Sequence, residues 1–79
     1  MIEQELRLNQ VQITLGNKIK ELRQQKGWPS QESFAAACGI DRTYLGQIER
    51  GEANACLSIL AEITKKLDIT ISGLFEDIA

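Results

Sequence analysis

A chain of 79 residues with an apolar fraction of 43% has the size and composition of one small domain with one core. Its formal charge of −2, two cysteines and absent histidines leave no ligand set for zinc and argue against a uniformly basic surface. No run of about 18 apolar residues occurs and the N-terminus lacks a signal-peptide core, so the expectation is a cytoplasmic protein without a membrane span.

Residues 1–10, MIEQELRLNQ, read as a polar lead-in that either frays or extends the first helix. Ile2 and Leu6, four apart, form a loose helical turn or an arm for a dimer. The domain proper is expected over residues 11–79. From about Gln12 to Lys26 the pattern is helical, with Leu15, Ile19 and Leu22 on one stripe and polar residues elsewhere. Thr14 caps this helix if it starts late. Gly27 ends it, Trp28 covers the junction, and Pro29 blocks continuation.

Ser30 is the natural N-cap of a second helix that buries Phe34, Ala35 and Cys38. Gly39 can end that helix in the left-handed conformation at no steric cost. Ile40 then plugs the corner and Asp41 caps a third helix whose inward face carries Leu45 and Ile48. Two short helices joined at a sharp turn describe a helix-turn-helix, which offers its second helix to the DNA major groove.

Gly51 stops the third helix, and residues 52–56 form a loop. A fourth helix from about Leu57 to Leu67 has its core stripe at Leu57, Leu60, Ile63, Thr64 and Leu67. Thr70 caps a short fifth helix to about Asp77, with Leu74 and Phe75 folding back. The fold expected is all-α, five helices around one core. Cys38 and Cys56 read as small buried hydrophobes, with redox sensing as the alternative. A disulfide is not expected in a reducing cytosol.

Charge is unevenly placed. From Lys18 to Arg50 six basic residues meet four acidic ones, net +2, whereas the remainder carries three basic and seven acidic residues, net −4. The helix-turn-helix is the positive end of an acidic protein, which is compatible with DNA binding. Catalysis finds no support: there is no histidine, no carboxylate pair at a fixed helical spacing within a cleft, and no phosphate-binding glycine loop. No cofactor is expected.

Three blocks, LGNKIKELRQQKG (Leu15 to Gly27), SQESFAAACGIDRTYLGQIERGEAN (Ser30 to Asn54) and the apolar pattern from Leu57 to Phe75, resemble the Cro/cI-repressor-like, or Xre-type, helix-turn-helix family. The run Asp41 to Tyr44, followed by Ile48-Glu49-Arg50-Gly51, is most similar to the controller proteins of restriction-modification systems. Two departures stand out. Pro29 adds one residue before helix two, and Ala55-Cys56 replace the usual Pro and Ser or Thr, leaving Asn54 to cap helix four or that helix to start raggedly.

The resemblance implies a lambda-repressor-like domain in which Arg42, Thr43, Gly46 and Gln47 touch base edges. Arg42 suits guanine, Gln47 adenine and the Thr43 methyl thymine. Gly46, on the exposed face, would let the backbone approach DNA. Gln31, Arg50 and Lys26 are expected at phosphates, together with the amides at Gln31 and Asp41. Tyr44 reaches DNA, at a phosphate or a base, or packs over the Arg50 stem. The resemblance also places Arg23 and Glu49 side by side as a largely buried ion pair. Ile59 and Ile71, off the core stripe, point with Leu57 and Leu74 to a homodimer interface.

The function implied is a sequence-specific regulator that binds a palindromic operator on double-stranded DNA as a homodimer, the controller of a restriction-modification operon. RNA polymerase is a further candidate partner. The alternative is an antitoxin or phage-type regulator that acts mainly through protein–protein interaction.

Overall fold

The computed structural model describes residues 3–76, with side chains from residue 9 onward, and the elements are α1 (Glu3–Gln25), α2 (Gln31–Cys38), α3 (Arg42–Glu49), α4 (Leu57–Leu67) and α5 (Ile71–Leu74). No strand occurs among the described residues. The arm suggested for Ile2 and Leu6 lies outside the described side chains. The fifth helix is shorter than expected: it ends at Leu74 with Phe75 as its C-cap, before Asp77, which lies outside the described residues.

The first helix begins at Glu3 rather than near Gln12, so Thr14 sits mid-helix and caps nothing. The reason is composition: the stretch before Gly16 is rich in strong helix formers and holds neither proline nor glycine. At 23 residues α1 is about 34 Å long, which accounts for the 37 Å longest dimension of the molecule. Its most buried line runs Gly16, Ile19, Arg23, while Leu15 and Leu22 flank it half-buried.

The turn between α2 and α3 is closed from both sides. Gly39 takes φ +74°, its N–H bonds the Ala36 carbonyl, and the Ile40 N–H bonds the Ala35 carbonyl at 3.0 Å, a Schellman stop. Asp41 then accepts the Thr43 amide at 2.8 Å and starts α3. Ser30 does the same for α2 by accepting the Ser33 amide at 3.1 Å.

Phe34, Ile19, Leu45, Ile63, Leu67 and Leu74 are fully buried and join all five helices in one core. Burying a side chain of this size contributes about 1.5–3 kcal/mol. Trp28 closes the edge, its ring T-shaped against Phe34 at 5.3 Å. Lys18 on α1 clips the last element in place by donating to the Gly73 carbonyl at 3.1 Å.

Three expectations change here. Leu57 is 67% exposed and not part of the core stripe, because it is the first residue of α4, one turn before the buried Leu60. Leu74 is 0% exposed: it is core, and so has no surface to offer a second copy. Asn54 does not cap α4. Its side-chain oxygen accepts from the Gln12 amide instead, and Cys56 occupies the N-cap position without a side-chain cap bond.

The approach of α3 to α1 is set by glycine. A Cβ on Gly16 would lie 2.3 Å from the Ile48 carbonyl oxygen and 2.7 Å from that of Glu49. The end of α3 thus rests main chain to main chain on α1. Gly51, at φ +77°, repeats the contact one step on, where a Cβ would be 2.7–3.0 Å from Ile13.

Candidate nucleic-acid interface

Residues four apart share a helix face, so α3 carries one row through Arg42, Gly46 and Arg50 and a neighbouring row through Thr43 and Gln47. Arg42 and Thr43 are exposed, and Gln47 is half-buried. The opposite side of the same helix is fully committed to the core through Leu45 and Ile48. Only the outward rows are available to a ligand.

Glu49 ties this helix to the scaffold. Its carboxylate accepts from Arg23 Nε at 2.8 Å and Nη2 at 3.4 Å, and from the Gln31 amide at 2.9 Å. The remaining Arg23 nitrogen, Nη1, donates to the Trp28 carbonyl at 2.8 Å. Both charged residues are 3% exposed. No buried side-chain polar atom among the described residues lacks a partner, which is the condition under which a buried pair is tolerated. The Arg23–Glu49 pair therefore joins α1, the α1–α2 connection, the first residue of α2 and the end of α3.

Gly46 is buried, not exposed, since the Gln31 amide and the Arg50 guanidinium lie across it. A Cβ there would be 3.1 Å from Arg50 Nη1 and 3.5 Å from Gln31 Oε1. Its absent side chain makes room for two neighbours rather than baring the backbone. Tyr44 also differs from expectation. Its hydroxyl donates to the Asn54 carbonyl at 3.2 Å, so that donor is occupied in the free protein. The Thr43 amide is likewise taken, by Asp41. Gln31 keeps one amide hydrogen beyond its bond to Glu49. Lys26 is exposed just past the end of α1.

Arg50 is exposed and bound to Glu52 through two hydrogen bonds, of 3.0 and 3.1 Å. Those bonds hold the Glu52 carboxyl below the usual carboxylate range. The two thiols differ in the same local terms. Burial pushes Cys38 up to about 11, so it stays a neutral apolar group. Cys56, read as buried, is exposed, and its bond with the Ser58 hydroxyl lowers it.

Sequence reasoning missed three partners at this site. Gly16 had a signal, a glycine inside a strong helical pattern, which usually marks close backbone approach. Glu52 had a weaker one, opposite charge two residues from Arg50 across a glycine. The Gln12–Asn54 contact, spanning 42 positions, had none.

These features define a helix-turn-helix DNA-binding regulator of the Xre type. Residues 19–74 match the helix-turn-helix family HTH_3, and the chain belongs to that family. It is 49% identical over 71 residues to the control protein C.MunI of a Mycoplasma species, covering 90% of this chain and 96% of that one. It is 34% identical over 68 residues to the control protein C.BamHI of Bacillus amyloliquefaciens, covering 86% and 84%. The crystal structure of the restriction-modification controller protein C.AhdI from Aeromonas hydrophila superposes with a TM-score of 0.76 at 40% identity, over 80% of this chain and 94% of that one. No helix among the described residues is long and apolar enough to cross a membrane.

Proposed function

We propose that this chain is the controller of a restriction-modification operon, binding a palindromic operator on double-stranded DNA as a homodimer. The observation that carries this reading is α3, whose outward rows present Arg42, Thr43 and Gln47 while its inward side is anchored by Leu45, Ile48 and Glu49. The printed names of C.MunI and C.BamHI as control proteins, and of C.AhdI as a restriction-modification controller, support the class of operon. RNA polymerase as a further partner and a cytoplasmic location belong to the same reading.

The test is a binding titration on duplex DNA from upstream of the protein's own coding sequence, with a panel of half-site changes. Arg42→Ala should weaken specific binding by about 1–3 kcal/mol and relax preference at one or two positions in each half-site. Arg50→Ala, acting through phosphate, should weaken all sequences alike and flatten the salt dependence. An Arg42→Ala protein with its full sequence preference would mean that another face of α3 meets the groove.

Self-association is supported by apolar side chains left partly exposed on α4 and α5. Leu57 is 67% exposed, Ile59 and Ile71 are half-buried, and between α1 and the α3–α4 connection opens a cleft of about 170 Å³ lined by Val11, Leu15, Ala55, Leu60 and Phe75 among others. Such a surface fits a second copy, which would set two recognition helices ~34 Å apart, one turn of DNA. Ile59→Asp should give a folded monomer in sedimentation at tens of micromolar. A wild-type protein that is already monomeric there would refute the dimer.

A further inference from the structure

Arg50 ends the row that Arg42 begins, yet it does not stand free. Its Nε and Nη2 hold the two oxygens of Glu52 at 3.0 and 3.1 Å, and each side chain is 56% exposed. Packing does not impose this pair; the main chain does. Gly51, at φ +77°, reverses the chain so that Glu52 faces back toward Arg50. The Glu52 amide is fastened to the Gln47 carbonyl at 2.8 Å, and Gly51 is pressed on Ile13 without room for a side chain. The carboxylate is thus delivered from a fixed backbone onto an exposed guanidinium.

A guanidinium offers two forks; Glu52 fills the one at Nε and Nη2, while the Nη1 end is turned onto Gly46, 3.1 Å from where a Cβ would stand. A carboxylate and a phosphate use the same two donors of the outward fork in the same geometry. They cannot hold them together. We propose that Glu52 is a built-in competitor of DNA: its carboxylate fills the phosphate-binding side of Arg50 in the free protein and is displaced when the α3 face meets the backbone. This rests on the reading of α3 as the DNA-facing helix. Exposed ion pairs are weak, so the competitor lowers affinity by a few-fold and does not abolish binding. Because Arg50 reads phosphate and not bases, the effect falls on all sequences alike. Once displaced, the carboxylate stays near the phosphate chain, and salt screens both of its effects.

The experiment measures binding of the full chain to two duplexes, the upstream region and a scrambled sequence of equal composition, at low and high salt. Glu52→Gln keeps the shape of the side chain and removes its charge. It should tighten binding to both duplexes by about two- to tenfold per half-site, with the gain shrinking as salt rises. Arg50→Ala should weaken binding, and in that background Glu52→Gln should lose at least half of its gain. Circular dichroism of each variant checks that the fold is unchanged. An undiminished gain without Arg50 would mean simple charge repulsion and overturn the proposal, as would no gain at all. If wild type binds but Arg50→Ala binds equally well, the competitor is refuted while the DNA-binding function stands. If wild type binds neither duplex, that function fails, and the proposal with it.

Discussion

Gly16→Ala is expected to lower stability by at least about 2 kcal/mol, although alanine in a helix normally stabilises. Two effects of opposite sign meet at this position. Alanine in place of glycine favours the helical backbone by about 1 kcal/mol. Against that, its Cβ would stand 2.3 Å from the Ile48 carbonyl oxygen and 2.7 Å from that of Glu49. Both obstacles are main chain and cannot rotate away, so α3 must lift off α1 by roughly an ångström, a form of overpacking that outweighs the helical gain. For a domain this small, a loss of about 2 kcal/mol lowers the melting temperature by roughly 10 °C or more. Gly46→Ala is the control. There the Cβ meets only the ends of the Arg50 and Gln31 side chains, and the melting temperature should hold or rise. A Gly16→Ala protein that melts higher than wild type would show that α1 and α3 are not in main-chain contact.

Glu49→Gln is expected to cost about 3–5 kcal/mol, because it leaves the Arg23 charge buried opposite a neutral amide. The carboxylate receives two bonds from Arg23 and one from Gln31, and the replacement amide cannot accept all three in the same orientation. Removing both charges is gentler than removing one. Arg23→Met combined with Glu49→Leu should therefore recover part of the loss, though not all, since the Trp28 carbonyl also loses its donor. Thermal or urea unfolding of the singles and the double closes the cycle. An unchanged melting temperature in Glu49→Gln would mean that the pair is open to water.

The number and order of helices were readable because each start and stop has a local chemical cause. Ser30, Gly39, Asp41 and Thr70 are capping residues whose preference shows in one dimension, and each sits at its expected junction. The start of α1 was less readable, since a polar stretch of good helix formers has no intrinsic boundary. Long-range partners were the weakest part. Nothing local says that Asn54 turns to Gln12 rather than capping α4, or that the Tyr44 hydroxyl bonds the Asn54 carbonyl. Gly46 was misplaced for a related reason. Helical periodicity puts it on the outward row, but the burial comes from Gln31 and Arg50 reaching across. Leu57 fits the helical stripe of α4 and yet lies outside the core, because periodicity names a face and not where its covering ends.

The seating of α3 on main-chain atoms of α1, with Leu45, Ile48 and Glu49 as its remaining anchors, separates where the helix lies from what its outer surface is made of. Residues 42, 43 and 47 contribute nothing to the fully buried core, so exchanging them leaves the docking intact. On the proposed reading of the outward rows as the DNA-facing surface, recognition can drift one side chain at a time without renegotiating the fold. Two descendants of one such chain can come to read different DNA while their scaffolds stay superimposable. The same separation makes the outward rows a place to graft a chosen preference, with Gly16, Arg23 and Glu49 left untouched.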